Sequence, residues 1–100
     1  MKLRQFPKDL PIEAVEGVTS ILGTLIASLR MDAPFASTTN LADYQETLQE
    51  LNRDLMDCFN LYDEWQHDAD SSKFKAELDK MESYLQEVKF LLETNKISIH

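Results

Sequence analysis

The residues of this 100-residue chain best suited to chemistry are Cys58, Glu64, His67, Ser71 and Ser72. Glu64-Trp65-Gln66-His67 reads E-x-x-H, the pairing with which a helical bundle holds half of a di-metal centre, since residues three apart share a helix face. The pairing occurs once, so a second copy of the chain would have to supply the other half. Glu64 and His67 also turn away from the apolar seam of their own segment, whereas a metal inside a bundle needs inward ligands. The first helical segment offers no inward carboxylate. Cys58 and His67 are nine residues apart, roughly 13 Å along a helix, too far for a nucleophile and its base. Cys58 falls on a core position and reads as a small buried hydrophobe. Ser71 and Ser72 stand where a helix begins and read as its cap. There is no glycine-rich phosphate loop, no C-x-x-C pair and no H-E-x-x-H. The sequence therefore predicts a protein that is not an enzyme and needs no cofactor or metal.

What remains is a charge pattern. The net charge is −8, and residues 41–68 account for −7 of it, with eight acids against Arg53. Residues 1–12 carry +2, residues 13–40 carry −2 and residues 69–100 carry −1. At about 100° per residue, Asp43, Glu46, Glu50, Asp54, Asp57, Glu64 and Asp68 fall within an arc of about 80°. This single-sign stripe is expected roughly opposite the apolar seam of its helix. Its like charges at i,i+4 cost a few tenths of a kcal/mol each, so helix formation does not need it. Such a face either keeps a small protein soluble or docks a basic partner. Acidity of this kind argues against direct nucleic-acid binding and against an anionic membrane surface. The aromatic run Phe59, Tyr62 and Trp65 reads as core at a bundle end, or else as an anchor for a partner.

The elements that would position these residues are set by spacing. Two glycines and three prolines leave room for long helices, and 100 residues make one domain. Residues 1–10 form an N-terminal arm, and the two-residue alternation of Ile97 and Ile99 in the tail 95–100 hints at an extended strand. Pro11 suits a helix start, and Val15, Val18, Leu22, Leu25 and Leu29 give a 3-4-3-4 seam for a helix over 11–31, widened by Ile21 and Ile26. Residues 31–40 form a loop in which Pro34 stops the helix, Phe35 plugs the bundle end, and Thr39 or Asn40 caps the second helix. That helix, over 41–67, carries two heptad rows, Leu41, Leu48, Leu55, Tyr62 and Tyr44, Leu51, Cys58, Trp65. A third over 73–94 carries Phe74, Leu78, Met81, Leu85, Val88 and Leu92, with outer pairs such as Lys75–Asp79 and Lys89–Glu93. The fold expected is all-α, an antiparallel three-helix up-down-up bundle.

The first helix departs from the usual outer face. No charge stands between Glu16 and Arg30, and the side away from the seam holds Gly17, Ser20, Gly23, Thr24, Ala27 and Ser28. An outward helix face normally carries charges, and small residues allow another backbone to approach. These six residues are the expected interface of a homodimer that completes the bundle. The longest uncharged run, residues 17–29, is too short to span a bilayer, so no membrane partner is expected. One cysteine and no apolar stretch behind the basic start point to the cytoplasm.

Together these features read as a small acidic protein-binding module. Its type would be an inhibitor or adaptor, of the size and character of helical inhibitors carried by phages and mobile elements. It would dock a basic site through the carboxylate stripe of the second helix. Two alternatives stand beside it: a chaperone or structural subunit that packs the apolar first helix against another protein, and a metal-binding bundle.

Overall fold

The computed structural model describes residues 12–97, with side-chain surroundings through Thr94. The N-terminal arm, the start of the first helix at Pro11 and the Ile99 end of the expected strand lie outside them. Three helices are arranged in order: α1 (Ile12–Arg30), α2 (Leu41–Gln66) and α3 (Lys75–Ile97), with short 3-10 turns at Ala33–Phe35 and Ser71–Phe74. The described residues contain no strand.

Both α1 and α2 pack extensively on α3, and α1 and α2 meet each other far less. The core is one cluster running through all three helices, with Val15, Met81, Leu85 and Val88 fully enclosed. Ala14, Val15, Val18, Leu22, Ile26 and Leu29 supply the share of α1. Thr19 is buried among them, and its hydroxyl donates to the Val15 carbonyl at 2.8 Å, so no polar atom is stranded. The seam is thus rotated slightly from its expected position. Ile26 is buried, Leu25 is half-buried and Ile21 is 65% exposed. Spacing identifies a helix face to within a residue or two, and the neighbour α3 sets the rest.

The two connections close by local chemistry. Asp32 takes a left-handed conformation (φ 56°) just past α1, a geometry a short polar side chain tolerates. The chain then turns through Pro34 and buries Phe35, whose ring stacks on Tyr44 at 4.4 Å between centroids. Asn40 is the cap of α2: its Oδ1 accepts the backbone N–H of Asp43 at 2.9 Å. The serine cap expected for α3 is not there. Ser71 and Ser72 lie inside the 3-10 turn, and α3 begins two residues later than expected, at Lys75. The helix also runs on through Ile97, where the sequence pattern suggested an extended tail. The pairs Lys75–Asp79 and Lys89–Glu93 are not among the ion pairs of the described residues. The salt bridges that do form are Arg30–Glu87, Lys73–Asp70 at 3.2 Å and a long contact of His67 with Asp63.

Candidate functional site

The acidic stripe divides in two. Glu46, Glu50, Asp54, Asp57 and Glu64 are exposed, and no ion pair among the described residues involves any of them. The ends of the stripe are engaged locally. Asp43 accepts a hydrogen bond from the Thr39 hydroxyl at 2.8 Å beside the α2 cap. Asp68 accepts the backbone N–H of Asp70 at 2.8 Å in the second turn. Both are half-buried. They belong to the turns, and five carboxylates remain as a free face.

The placement of that face also differs from expectation. The buried side of α2 is Leu48, Leu55, Tyr62 and Trp65, while Tyr44, Leu51 and Cys58 of the second heptad row are half-buried and Leu41 is exposed. The stripe lies about 120° around the helix from the buried side rather than opposite it. It therefore runs beside the half-buried row. Cys58 reports this neighbourhood: burial first, then the charges of Asp54 and Asp57, push its thiol above the ordinary value. A thiol held protonated in this way is a poor nucleophile.

The other residues with chemical potential are dispersed. Glu64 and His67 are both exposed, and His67 Nδ1 sits 2.7 Å from the Asp63 carbonyl oxygen. Among the described residues no three His, Cys, Asp or Glu side chains are placed to hold one metal ion. Tyr62 and Trp65 are core, and Phe59 is half-buried, so this aromatic run spends its area inside the fold. The Tyr62 hydroxyl donates to Glu82 of α3 at 2.7 Å. Burial, then that bond and nearby acids, push its pKa up to about 12.

The small-residue face of α1 lies open. Gly17, Ser20, Thr24 and Ala27 are exposed, and Gly23 and Ser28 are half-buried. The close approach expected at these positions occurs at Gly23, and within the chain. A Cβ there would meet the Tyr84 ring of α3 at 3.3 Å, whereas one at Gly17 would meet nothing within 4 Å. Beside Gly23 an open groove of about 680 Å³ runs between α1 and α3, with Ser20, Gly23 and Ala27 on one wall and Lys80 and Tyr84 on the other. Lys80 Nζ lies 5.7 Å from the Tyr84 ring centroid. Glu16 and Glu77 also line this groove. The sequence offered no sign of it, because it is made by two helices and spacing describes one at a time.

By length and composition α1 is able to cross a membrane: it has 19 residues, and an 18-residue window has mean hydropathy 1.5. A core helix passes the same test, and seven α1 residues are buried here. No family model, no curated protein and no solved structure matches the chain.

Proposed function

We propose that the protein is a small acidic binding module, an inhibitor or adaptor without enzymatic activity, that docks a basic site of a partner protein through α2. The observation that carries the reading is the row Glu46, Glu50, Asp54, Asp57 and Glu64, exposed and outside every ion pair of the described residues. Their like-charge spacings work mildly against the helix, so folding does not account for them. A row of unpaired carboxylates steers a basic surface toward itself and is complementary to it on contact. The same chemistry suits a site that otherwise holds phosphates. A reducing compartment, the cytoplasm, fits the single protonated thiol.

The architecture inferred is an up-down-up bundle. Gly23 with Tyr84 and Arg30 with Glu87 advance in the same sense along α1 and α3. The end of α2 lies against the start of α3, where Tyr62, Gln66, Lys75 and Asp79 share a small cavity of about 280 Å³. A second reading rests on α1. Between Glu16 and Arg30 its exposed side carries no charge, which favours a homodimer, or a role as subunit or chaperone, with α1 as the interface.

The test is affinity capture from the native host with the wild-type chain and with Glu50→Lys/Asp54→Lys/Asp57→Lys, both checked for helicity by circular dichroism. The expected result is a partner with a basic surface that the wild type retains and the triple variant loses, with affinity falling as salt is raised. Equal affinity of the two chains for that partner removes the stripe from the function.

A further inference from the structure

In the up-down-up arrangement inferred above, α1 and α2 both lie on α3 and meet each other far less, which leaves a furrow along their facing edges. Gly23, against Tyr84, marks the α3 edge of α1. Ile21 stands about 160° around the helix from it, on the edge toward α2, and is 65% exposed. On α2, Gln66 lines the cavity shared with Lys75 and Asp79 and marks the α3 edge. Leu61 stands about 140° from Gln66, on the edge toward α1, and is half-buried. Asp54, Asp57 and Glu64 lie within about 60° of Leu61, so the acidic stripe is the α2 rim of this furrow. Ile21 and Leu61 are level with each other: Ile21 is two residues before Gly23 and so level with Glu82 of α3, which accepts the hydroxyl of Tyr62.

The segment that leads into α1 matches this furrow in sign and in order. Residues 1–10 carry Lys2, Arg4 and Lys8 against Asp9, with Phe6 among them. Along the axis from Ile12, Glu64 stands about 9 Å into the furrow, Ile21 and Leu61 about 14 Å, Asp57 about 20 Å and Asp54 about 24 Å. Extended chain from Ile12 carries Lys8 up to about 14 Å, Phe6 about 21 Å, Arg4 about 28 Å and Lys2 about 35 Å. The furrow thus runs acid, apolar pair, acid, acid, and the segment runs base, phenylalanine, base, base, with chain to spare for the reversal. We propose that residues 1–10 fold back along the α1–α2 furrow, with Lys8 on Glu64, Phe6 between Ile21 and Leu61, and Arg4 and Lys2 on Asp57 and Asp54. The chain is then the first occupant of its own stripe, held by complementary charge over an apolar floor. This deepens the docking reading above, on which its regulatory meaning rests: a basic partner has to displace the segment, and gains its first hold at Glu46 and Glu50, left over at the far end.

The experiment is zero-length carbodiimide crosslinking of the full chain, mixed with isotope-labelled chain and read by peptide mass spectrometry. Lys73 and Asp70, 3.2 Å apart, are the internal control. The expected result is coupling of Lys8 to Glu64 and of Lys2 to Asp57 or Asp54, within one chain. The Lys8–Glu64 product is lost in Glu64→Lys and returns, with amine and carboxylate exchanged, in Lys8→Glu/Glu64→Lys. Circular dichroism checks that both variants keep the wild-type helicity. If the control couples while Lys2 and Lys8 stay uncoupled, join other acids, join only the other copy or ignore the swap, the proposal is overturned. The chain is used alone, so failure here is distinct from failure of the capture experiment, which judges the partner.

Discussion

Helices α1 and α2 use the same platform and present opposite outer faces. Each lays an apolar stripe on α3, and each is long enough to cover it. Along the edge of its contact with α3, α1 shows glycine, serine, threonine and alanine, while α2 shows five carboxylates outside every ion pair of the described residues. The difference teaches that folding constrains these helices on one side alone. Burial selects Leu22 and Leu29 on α1 and Leu48 and Leu55 on α2 by the same rule. Nothing in that rule selects neutral residues for one outer face and a single sign of charge for the other. A difference that stability does not demand is the place to look for what each face meets.

The comparison breaks most severely at the platform. Leu85 is fully buried on α3 in the core shared by both partners. Leu85→Ala is expected to cost about 2–5 kcal/mol, a large part of the stability of a domain this small. Urea unfolding monitored by helicity should show one transition at lower denaturant. Two separate transitions would mean that α1 and α2 are held independently.

The α2 side is tested by Tyr62, whose hydroxyl ties α2 to Glu82. Tyr62→Phe is expected to cost about 1 kcal/mol. The wild type should also carry an alkaline dependence that the variant lacks. With the pKa raised from 10.0 to about 12, this contribution is fully present below pH 10 and lost as pH rises through about 12. Tyrosinate absorbance should show a late step for the wild type, and its persistence in the variant would reassign the shift.

The outer face of α1 is sharpened by its two glycines. Gly17→Ala adds a methyl group in open space on a helix and should stabilise by about 0.5–1 kcal/mol. Gly23→Ala meets the Tyr84 ring and should gain less. Thermal melts of the pair check this, and equal gains would mean that Tyr84 yields freely. The smallest effect belongs to the outer face of α2. Glu50→Lys relieves like charges at Glu46 and Asp54 and should leave stability unchanged or raise it by a few tenths of a kcal/mol. A marked loss in chemical denaturation would show that the stripe has a structural duty after all.

How much of this was legible beforehand differs by element. Three helices are evident from 3-4 spacing, and the cap at Asn40 from its chemistry and its place before an apolar run. The carboxylate stripe is visible as an arc on one helix. Its angle to the row of Leu51 and Cys58 is fixed by the same wheel, but that this row is only half-buried is not, because burial depends on how far α2 rotates against α3. The same kind of rotation, of α1 against α3, sends Ile26 inward and leaves Ile21 in solvent, although both flank the seam equally in the sequence. The pairing of Gly23 with Tyr84 joins residues far apart in the chain, and no local pattern encodes it. The serine pair misleads for a local reason: Asp68 and Asp70 organise a 3-10 turn first, and the α-helix begins only after it.

The platform has a consequence in time. During synthesis α1 and α2 leave the ribosome before the helix on which both depend. Until residues 75–92 have emerged, Val15, Leu22 and Leu29 have no surface to pack against, and an apolar helix stands exposed beside an acidic one. Folding must wait for contacts such as Arg30–Glu87, which span more than half of the chain. A chain cut short before α3 would therefore present α1 to whatever holds unfinished proteins in solution, and not a smaller version of the same molecule.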